Sequence, residues 1–147
     1  ARQLGLNVPV IGGNGMNSTK IFDLAKGSSD NLYVGSPWSA SNATPENTKF
    51  QKAYNDKFKM APDQFAAQAY DGLYVVAQAL KGVKLSGNLA ADRTALRDAL
   101  PNVKWTGATG AFAFARAKDK AGKPAGYDAQ QTAIVSVTKG TAFVIEK

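Results

Sequence analysis

The amino-acid sequence predicts an α/β fold, and three of its features carry that prediction. A predicted short buried strand at residues 7–11 and a second predicted strand at residues 31–35 flank a stretch with helical caps. Apolar residues then recur with helical spacing over residues 44–82, and the last third of the chain is rich in strand-forming residues. The 147 residues, of which 44% are hydrophobic and 20% charged, are enough to bury a folded core.

The chain opens with a segment that is typical of the end of a helix. Residues 1–4 favour helix, and Gly5 stands where a left-handed C-cap would end it. Because a single last turn does not nucleate alone, we expect this segment to complete an element whose earlier part lies upstream. The strand at residues 7–11 follows and ends at the glycine-rich turn of residues 12–15.

The next helix and strand are bounded by capping and turn residues. Ser18 is the predicted N-cap of a helix that ends at Gly27. A strand at residues 31–35 follows, Pro37 ends it, and residues 36–44 form a connecting loop. This strand–helix–strand order is typical of α/β proteins.

Three helices are predicted in the middle of the chain. Thr44 caps the first of them, and Pro45 occupies its first position. The second opens at residues 62–63, keeps a 3.6-residue apolar period and ends at Gly82, and the third covers residues 91–100. We expect the first two helices to pack through apolar stripes made of Phe50, Tyr54, Phe58, Leu73 and Val76.

The last third of the chain is predicted to be β-rich. Residues 111–114 alternate between small and aromatic side chains, and residues 132–137 are largely β-branched. A further strand is predicted at residues 141–145, with Lys139 and Gly140 as the two-residue turn of a hairpin.

Residue usage excludes several classes of function. The chain has no cysteine and no histidine, which removes disulfides, thiolate nucleophiles, the commonest transition-metal ligand and the usual general base. No apolar run is long enough to span a bilayer, and a secretory signal is expected to be absent or already removed. Most hydrolase and zinc-enzyme interpretations therefore fail, and we expect neither a metal nor a cofactor.

The formal net charge of +7 makes nucleic acid a candidate partner. The densest basic group comprises Arg116, Lys118, Lys120 and Lys123, with Asp119 between them. Such alternation in a stretch with glycine and proline indicates a solvated loop or hairpin, and no aromatic–basic motif accompanies it. We therefore expect no nucleic-acid partner.

The glycine-rich turn at residues 12–15 is the first candidate for ligand binding. It follows a strand and precedes a helix, where phosphate loops lie, but it has neither the dinucleotide fingerprint nor the Walker pattern. A tight strand-to-helix turn is the favoured explanation of these glycines, ahead of nucleotide binding. A ligand-facing turn stays open as an interpretation, because α/β proteins bind ligands at the carboxyl ends of their strands.

Three other side chains have both a structural and a functional interpretation. Asp71 lies inside the strongest helix pattern, where a surface acid or an acid paired to a lysine is the ordinary expectation. Phe65 is either a core residue or a wall of a ligand site. Trp38 is either a hydrophobic lid over the domain or a ligand contact carried by a loop.

The order of several short segments points to a family. These segments are Ala1-Arg2-Gln3-Leu4-Gly5-Leu6, Val10-Ile11-Gly12-Gly13, Asn31-Leu32-Tyr33-Val34, Phe50-Gln51-Lys52-Ala53-Tyr54, Phe65…Ala69-Tyr70-Asp71-Gly72 and Trp105-Thr106-Gly107…Thr109-Gly110. In this order and spacing the chain resembles, over essentially its whole length, the C-terminal part of the substrate-binding proteins of branched-chain amino acid ABC transporters, the Leu/Ile/Val-binding family.

The resemblance implies a type I periplasmic-binding-protein fold. That fold has two Rossmann-like α/β lobes joined by hinge strands, with the ligand enclosed between the lobes, and only the C-terminal half would be present here. Residues 1–36 would then belong to lobe 2 and residues 37–103 to lobe 1. Residues 104–147 would form the hinge crossing and the C-terminal part of lobe 2.

The resemblance also implies a function. The protein would be a non-enzymatic, periplasmic receptor that delivers a small apolar amino acid or a related organic carboxylate, aromatic ones included, to a membrane permease. The missing N-terminal half of the same protein would supply the rest of the cleft. Two alternatives are a cytosolic ligand-sensing regulatory domain of the same fold, marked by an upstream helix-turn-helix, and a small α/β enzyme, which the missing His and Cys disfavour.

The resemblance carries over to individual residues only in part. Asn14 stands where the amino-acid binders of the family place a Glu that pairs with the ligand ammonium, and Phe65 matches an aromatic residue that lines their ligand pocket. A neutral Asn hydrogen-bonds an ammonium without neutralising it, so an organic acid without an amine becomes a candidate ligand. The implied ligand-binding residues are Gly13, Asn14, Trp38, Phe65, Gln68 and Tyr70.

Overall fold

The structure is a computed structural model that describes residues 2–146. Its strands are β1 (Val10–Gly12), β2 (Leu32–Ser36), β3 (Trp105–Gly107), β4 (Gly110–Lys118), β5 (Pro124–Gln131), β6 (Ile134–Lys139) and β7 (Ala142–Ile145). Its helices are α1 (Lys20–Ala25), α2 (Pro45–Phe58), α3 (Gln64–Lys81) and α4 (Leu89–Ala99). Within residues 2–146 no helix combines the length and hydropathy that crossing a membrane requires. The predicted α/β class is confirmed.

The first sheet joins segments from opposite ends of the chain. Its strand order is β1-β2-β6-β7, with β1 parallel to β2 and the other neighbours antiparallel. Leu32, Val34 and Val137 are buried in it. The buried Thr138 hydroxyl accepts a 3.0 Å bond from the Leu32 N–H and donates to the Ser29 carbonyl. Strand β2 is therefore held between a parallel and an antiparallel neighbour.

The second sheet is antiparallel, in the order β3-β4-β5, and lies against the helices. Val75 and Ala79 of α3 and Val103 form a buried cluster, against which Trp105 and Phe112 of this sheet pack. The strands β4 and β5 form a hairpin across residues 119–123, which confirms the hairpin interpretation of the basic segment. The sequence analysis did not predict strand β5, because its residues (PAGYDAQQ) are almost all exposed and do not alternate between apolar and polar side chains.

Helices α2 and α3 pack through aromatic rings. Ring centroids lie 5.8 Å apart between Phe50 and Tyr54, 4.9 Å between Phe50 and Tyr70, and 5.0 Å between Tyr74 and Trp105. The expectation for Leu73 is wrong, because that side chain is 70% exposed. The buried face of α3 instead consists of Gln64, Ala67, Asp71, Val75 and Ala79.

The helix caps follow the local sequence closely. Thr44 Oγ1 accepts from the Asn47 N–H at 3.3 Å, with Pro45 at the first position, and Asp63 Oδ1 accepts from the Ala66 N–H at 2.8 Å. These caps confirm the predicted starts of α2 and α3.

Several predicted boundaries shift. Strand β1 begins at Val10 and not at residue 7, β6 begins at Ile134 and not at residue 132, and three others shift by one or two residues. Helix α1 has Thr19 and not Ser18 as its N-cap, because the backbone is already turning at Ser18, whose carbonyl accepts from the Ile21 N–H. Helix α4 begins at Leu89, because Asn88 Oδ1 caps its first N–H groups. The β6–β7 turn consists of residues 140–141, since β6 continues through residue 139.

The opening segment forms a short 3-10 turn, Arg2–Leu4, rather than the end of an α-helix. Gly5 follows it with a φ of +78°, the left-handed conformation expected of a C-cap glycine. The Arg2 guanidinium donates to the Leu6 and Val8 carbonyls at 2.8 and 2.9 Å, and so fixes the path of the chain into β1.

Candidate functional site

An open cleft of about 340 Å³, lined by uncharged residues, lies where the parallel strands of the first sheet end. The turn after β1, the end of β2, helix α3 and the β5–β6 connection all contribute to it. Its lining consists of Asn14, Gly35, Ser36, Pro37, Gln68, Gln131, Thr132 and Ala133. The cleft therefore occupies the carboxyl edge of a β–α–β unit, the usual ligand position in α/β folds.

The turn after β1 places Asn14 in the cleft. Residues Asn14–Met16 form a 3-10 turn in which the Met16 N–H donates to the Gly13 carbonyl at 3.0 Å. Gly13 is exposed, and a Cβ at that position would meet no atom within 4 Å. At Gly12, by contrast, a Cβ would collide with the side chain of Met16. The glycines therefore serve different purposes: Gly12 allows close packing, and Gly13 leaves open space beside Asn14.

Asn17 fastens this turn to the beginning of α3. Its Nδ2 lies 2.9 Å from the Trp38 carbonyl oxygen and 3.0 Å from Gln64 Oε1, and it also approaches Ser36 Oγ at 3.1 Å. Ser36 Oγ in turn donates to the Trp38 carbonyl at 2.6 Å. The node of Asn17, Ser36 and Gln64 thus sets the distance between the Asn14 turn and α3. Sequence analysis missed it because Gln64 lies 47 residues from Asn17.

A buried carboxylate supports the other side of the cleft. Asp71 Oδ1 accepts from the Ala108 N–H at 3.0 Å and from Trp105 Nε1 at 3.2 Å. Asp71 Oδ2 accepts from the Thr109 N–H at 2.7 Å and from its hydroxyl at 2.6 Å. A surface acid or a lysine partner was the expectation for Asp71, and both are wrong. Its contacts hold the β3–β4 turn against α3.

Gln131 connects this carboxylate to the cleft. Its Nε2 donates to Thr109 Oγ1, the same hydroxyl that donates to Asp71. Gln131 was not among the predicted site residues, and it lies in the poorly patterned strand β5. A glutamine at the end of an exposed polar strand offers no sequence signal for such a role.

The structure separates the six predicted site residues into two groups. Asn14 and Gln68 line the same cleft, and Gly13 adjoins Asn14. Phe65 lies three residues before Gln68 on α3, where helical spacing puts both on one face, and its side chain is 54% exposed. Trp38 and Tyr70 lie in the aromatic core instead.

Both of these aromatic residues have structural partners. Trp38 is 4% exposed, and its Nε1 donates to Asn47 Oδ1 at 2.7 Å. Tyr70 packs between Phe50 and Tyr74. A hydrogen bond with Tyr74, reinforced by burial, raises the pKa of Tyr70 to about 12. The phenol therefore stays neutral near pH 7.

No other cavity described among residues 2–146 contains more than one of the predicted site residues. A larger cavity of about 600 Å³ lies along the second sheet and is lined in part by Trp105, Phe112 and Gln130, but it includes none of the six. Across residues 2–146 no group of three or more acidic, His or Cys side chains could hold a metal ion.

Comparison with known proteins identifies the class. The family described as periplasmic binding protein matches residues 1–141, and the chain belongs to that family. No match was found among curated protein sequences.

Solved structures then specify the branch of the family. The chain is 28% identical to the branched-chain amino acid transporter substrate-binding protein LivJ of Streptococcus pneumoniae, solved with isoleucine, with a TM-score of 0.74. The leucine-binding protein LivK of Thermotoga maritima is 20% identical, with a TM-score of 0.74. An R. palustris solute-binding protein of an ABC transporter, solved with benzoate, is 22% identical, with a TM-score of 0.69. The predicted resemblance to branched-chain amino acid substrate-binding proteins is confirmed.

These relatives are considerably longer than the chain. The alignments cover 99%, 100% and 97% of this chain but only 38%, 39% and 36% of LivJ, LivK and the R. palustris protein. The fold is therefore that of part of a type I periplasmic binding protein, in agreement with the predicted fold class.

Proposed function

We propose that the protein is the substrate-binding component of an ABC importer and binds a small apolar amino acid or a related organic carboxylate, aromatic ones included. The observation that carries the proposal is the convergence of Asn14 and Gln68 on one cleft at the carboxyl edge of the first sheet. In the relatives, isoleucine and benzoate are the molecules with which LivJ and the R. palustris protein were solved.

The cleft lies between two groups of elements, which supports binding by lobe closure. In the proposed arrangement residues 1–36 belong to lobe 2, residues 37–103 to lobe 1, and residues 104–147 to the hinge crossing and the end of lobe 2. Pairing of β6 with β2 agrees with this assignment, because it returns the last segment to the sheet of the first. Asn14 and Gln68 would then close on the ligand from opposite lobes.

The chemistry of the cleft favours a ligand without an ammonium group. Its polar side chains are the amides of Asn14, Gln68 and Gln131 and the hydroxyls of Ser36 and Thr132, and no carboxylate of residues 2–146 belongs to the lining. Amides accept and donate hydrogen bonds but do not neutralise a cation. An α-amino acid gives up the hydration of its ammonium group on entering this cleft and finds no carboxylate there to neutralise it. An organic acid without an amine has no such loss of hydration.

The remaining parts of the proposal follow from the family. The protein would act outside the cytoplasmic membrane, in the periplasm, and would present its closed form to a membrane permease. The N-terminal half of the same protein would complete the cleft. Its role would be to bind a ligand without converting it.

Calorimetric titration of the full-length protein with leucine, isoleucine and benzoate tests this function. We expect saturable binding of at least one of them, with recovery of the unchanged ligand. Gln68→Ala should weaken that binding about fivefold to tenfold, the effect of losing about one hydrogen bond. Gln78→Ala, on the same helix but outside the cleft, is the matched control and should leave it unchanged. Turnover of the ligand, or equal effects of both variants, would contradict the proposal.

A further inference from the structure

The amide of Gln131 has a defined orientation. Nε2 donates to Thr109 Oγ1 and, at 3.4 Å, to the Thr109 carbonyl. Both hydrogen bonds of Gln131 within residues 2–146 use this nitrogen, and none uses Oε1. Gln131 is partly buried and lines both the cleft, beside Asn14 and Gln68, and the larger cavity along the second sheet.

The buried carboxylate of Asp71 determines which atom of the amide faces Thr109. A hydroxyl has one proton to donate, and Thr109 donates it to Asp71 Oδ2 at 2.6 Å. Carboxylate oxygens accept, so Thr109 Oγ1 is left as an acceptor toward Gln131. An amide rotated by 180° would bring two acceptors, Oε1 and Oγ1, into contact, and that repulsion excludes it.

We propose that Gln131 is a specificity-determining residue of the cleft, and that the Asp71–Thr109 pair positions it so that Oε1 accepts a hydrogen bond from the ligand. This inference rests on the proposed function and deepens it. Among organic acids without an amine, it selects one that carries a neutral hydrogen-bond donor, such as a hydroxyl group. An acceptor oxygen rewards such a donor, and a ligand that lacks one leaves that oxygen desolvated and unpaired.

Two ligands that differ by a single hydroxyl group isolate this contact. They are α-hydroxyisocaproate, the hydroxy acid that corresponds to leucine, and isocaproate, which has the same carbon skeleton without the hydroxyl. Calorimetric titration of the full-length protein gives the ratio of their dissociation constants. We expect the hydroxy acid to bind about fivefold to tenfold more tightly, as one neutral hydrogen bond predicts.

Variants then assign that ratio to Gln131. Gln131→Leu should bring it close to one. Gln130→Leu is the matched control, because both residues line the larger cavity but only Gln131 also lines the cleft; it should keep the ratio. Thr109→Val removes the acceptor that orients the amide and should also lower the ratio, whereas Thr109→Ser, which keeps the hydroxyl, should restore it. If Gln131→Leu does not fold, the comparison of Thr109→Val with Thr109→Ser still tests the proposal.

The outcomes separate this inference from the function on which it rests. Binding of both acids with a ratio near one, or an unchanged ratio in Gln131→Leu, overturns the role of Gln131 and leaves the receptor function in place. Equal ratios in Thr109→Val and Thr109→Ser overturn the positioning role of Thr109. Failure of both acids, leucine, isoleucine and benzoate to bind overturns the receptor function and this inference with it.

Discussion

The α2–α3 region and the β1 edge of the first sheet contain similar apolar residues but bury them very differently. Phe50 is 3% exposed beneath α3, whereas Ile11 of β1 is 85% exposed on a strand that pairs on one side only. Leu4, Leu6, Val8 and Leu24, from the first part of the chain, are exposed as well. The first region therefore holds its own core, and the second presents an apolar edge of the kind that parallel sheets normally cover. We propose that the N-terminal half of the protein covers it.

The largest expected effect lies in the region that is already packed. Phe50→Ala removes a ring that contacts Tyr54 and Tyr70 and should cost about 3–5 kcal/mol of unfolding free energy, because it leaves a cavity in the aromatic core. Phe58→Ala, on the same helix but half exposed, should cost about 1 kcal/mol. Denaturant titration of the full-length protein measures both. If Phe50→Ala and Phe58→Ala lowered the unfolding free energy by similar amounts, Phe50 would not lie in a buried core.

Asp71 is expected to have the next largest effect. Asp71→Asn replaces one of the two carboxylate oxygens by an NH2 group, which then faces either the Ala108 N–H or the Thr109 N–H. Two donors would face each other in both orientations, at a cost of about 2–3 kcal/mol. Asp56→Asn breaks an exposed ion pair with Lys52 and should destabilise the fold far less than Asp71→Asn does, because solvent screens that pair. The same denaturation experiment compares them. If Asp71→Asn left the unfolding free energy unchanged, the contacts of Asp71 would not be what holds the β3–β4 turn against α3.

The β1 edge gives a smaller effect that decides whether the edge is covered. In the full-length protein Ile11→Val should cost about 0.5–1.5 kcal/mol, the usual loss for one buried methylene group. Leu85→Val, in the loop after α3, should change stability by less than about 0.5 kcal/mol. If Ile11→Val is as silent as Leu85→Val, the edge stays open in the whole protein.

Tyr70 gives the smallest effect, and it appears only in alkali. Its pKa is raised to about 12 in the fold, above the ordinary value near 10, so folding favours the neutral phenol. The stability that Tyr70 contributes is therefore fully present below about pH 10 and is lost as the pH rises toward 12. Tyrosinate absorbance should show one late-titrating group, which Tyr70→Phe removes. A normal titration of all tyrosines would contradict the contact with Tyr74.

The sequence predicted those parts of the fold that depend on near neighbours. Thr44 and Asp63 cap α2 and α3 through N–H groups three residues away, and Gly5 adopts the left-handed conformation expected of it. Such contacts are local, so composition and spacing reveal them. The start of α1 shifted because of one extra backbone hydrogen bond, from the Ile21 N–H to the Ser18 carbonyl, and side-chain types do not indicate such a bond.

The site could be predicted only in part, because its supports are long-range. Asn14 was found through its position after a strand, and Gln68 through the family resemblance. Asp71 bonds residues 37 and 38 positions away, and Gln131 bonds Thr109 across 22 positions. Periodicity marks which face of a helix is buried, but it does not show that a carboxylate on that face will meet a distant turn.

The central claim is that an uncharged cleft, with Asn14 at the end of β1, favours an organic acid over an α-amino acid. Calorimetric titration of the full-length protein and of Asn14→Glu with leucine and α-hydroxyisocaproate tests it most directly, because the two ligands differ only in an ammonium against a hydroxyl group. We expect the natural protein to bind the hydroxy acid at least as tightly as leucine. Asn14→Glu should shift the preference toward leucine by about tenfold, equivalent to about 1.4 kcal/mol. Tight leucine binding by the natural protein, with no binding of the hydroxy acid and no shift in Asn14→Glu, would contradict the claim.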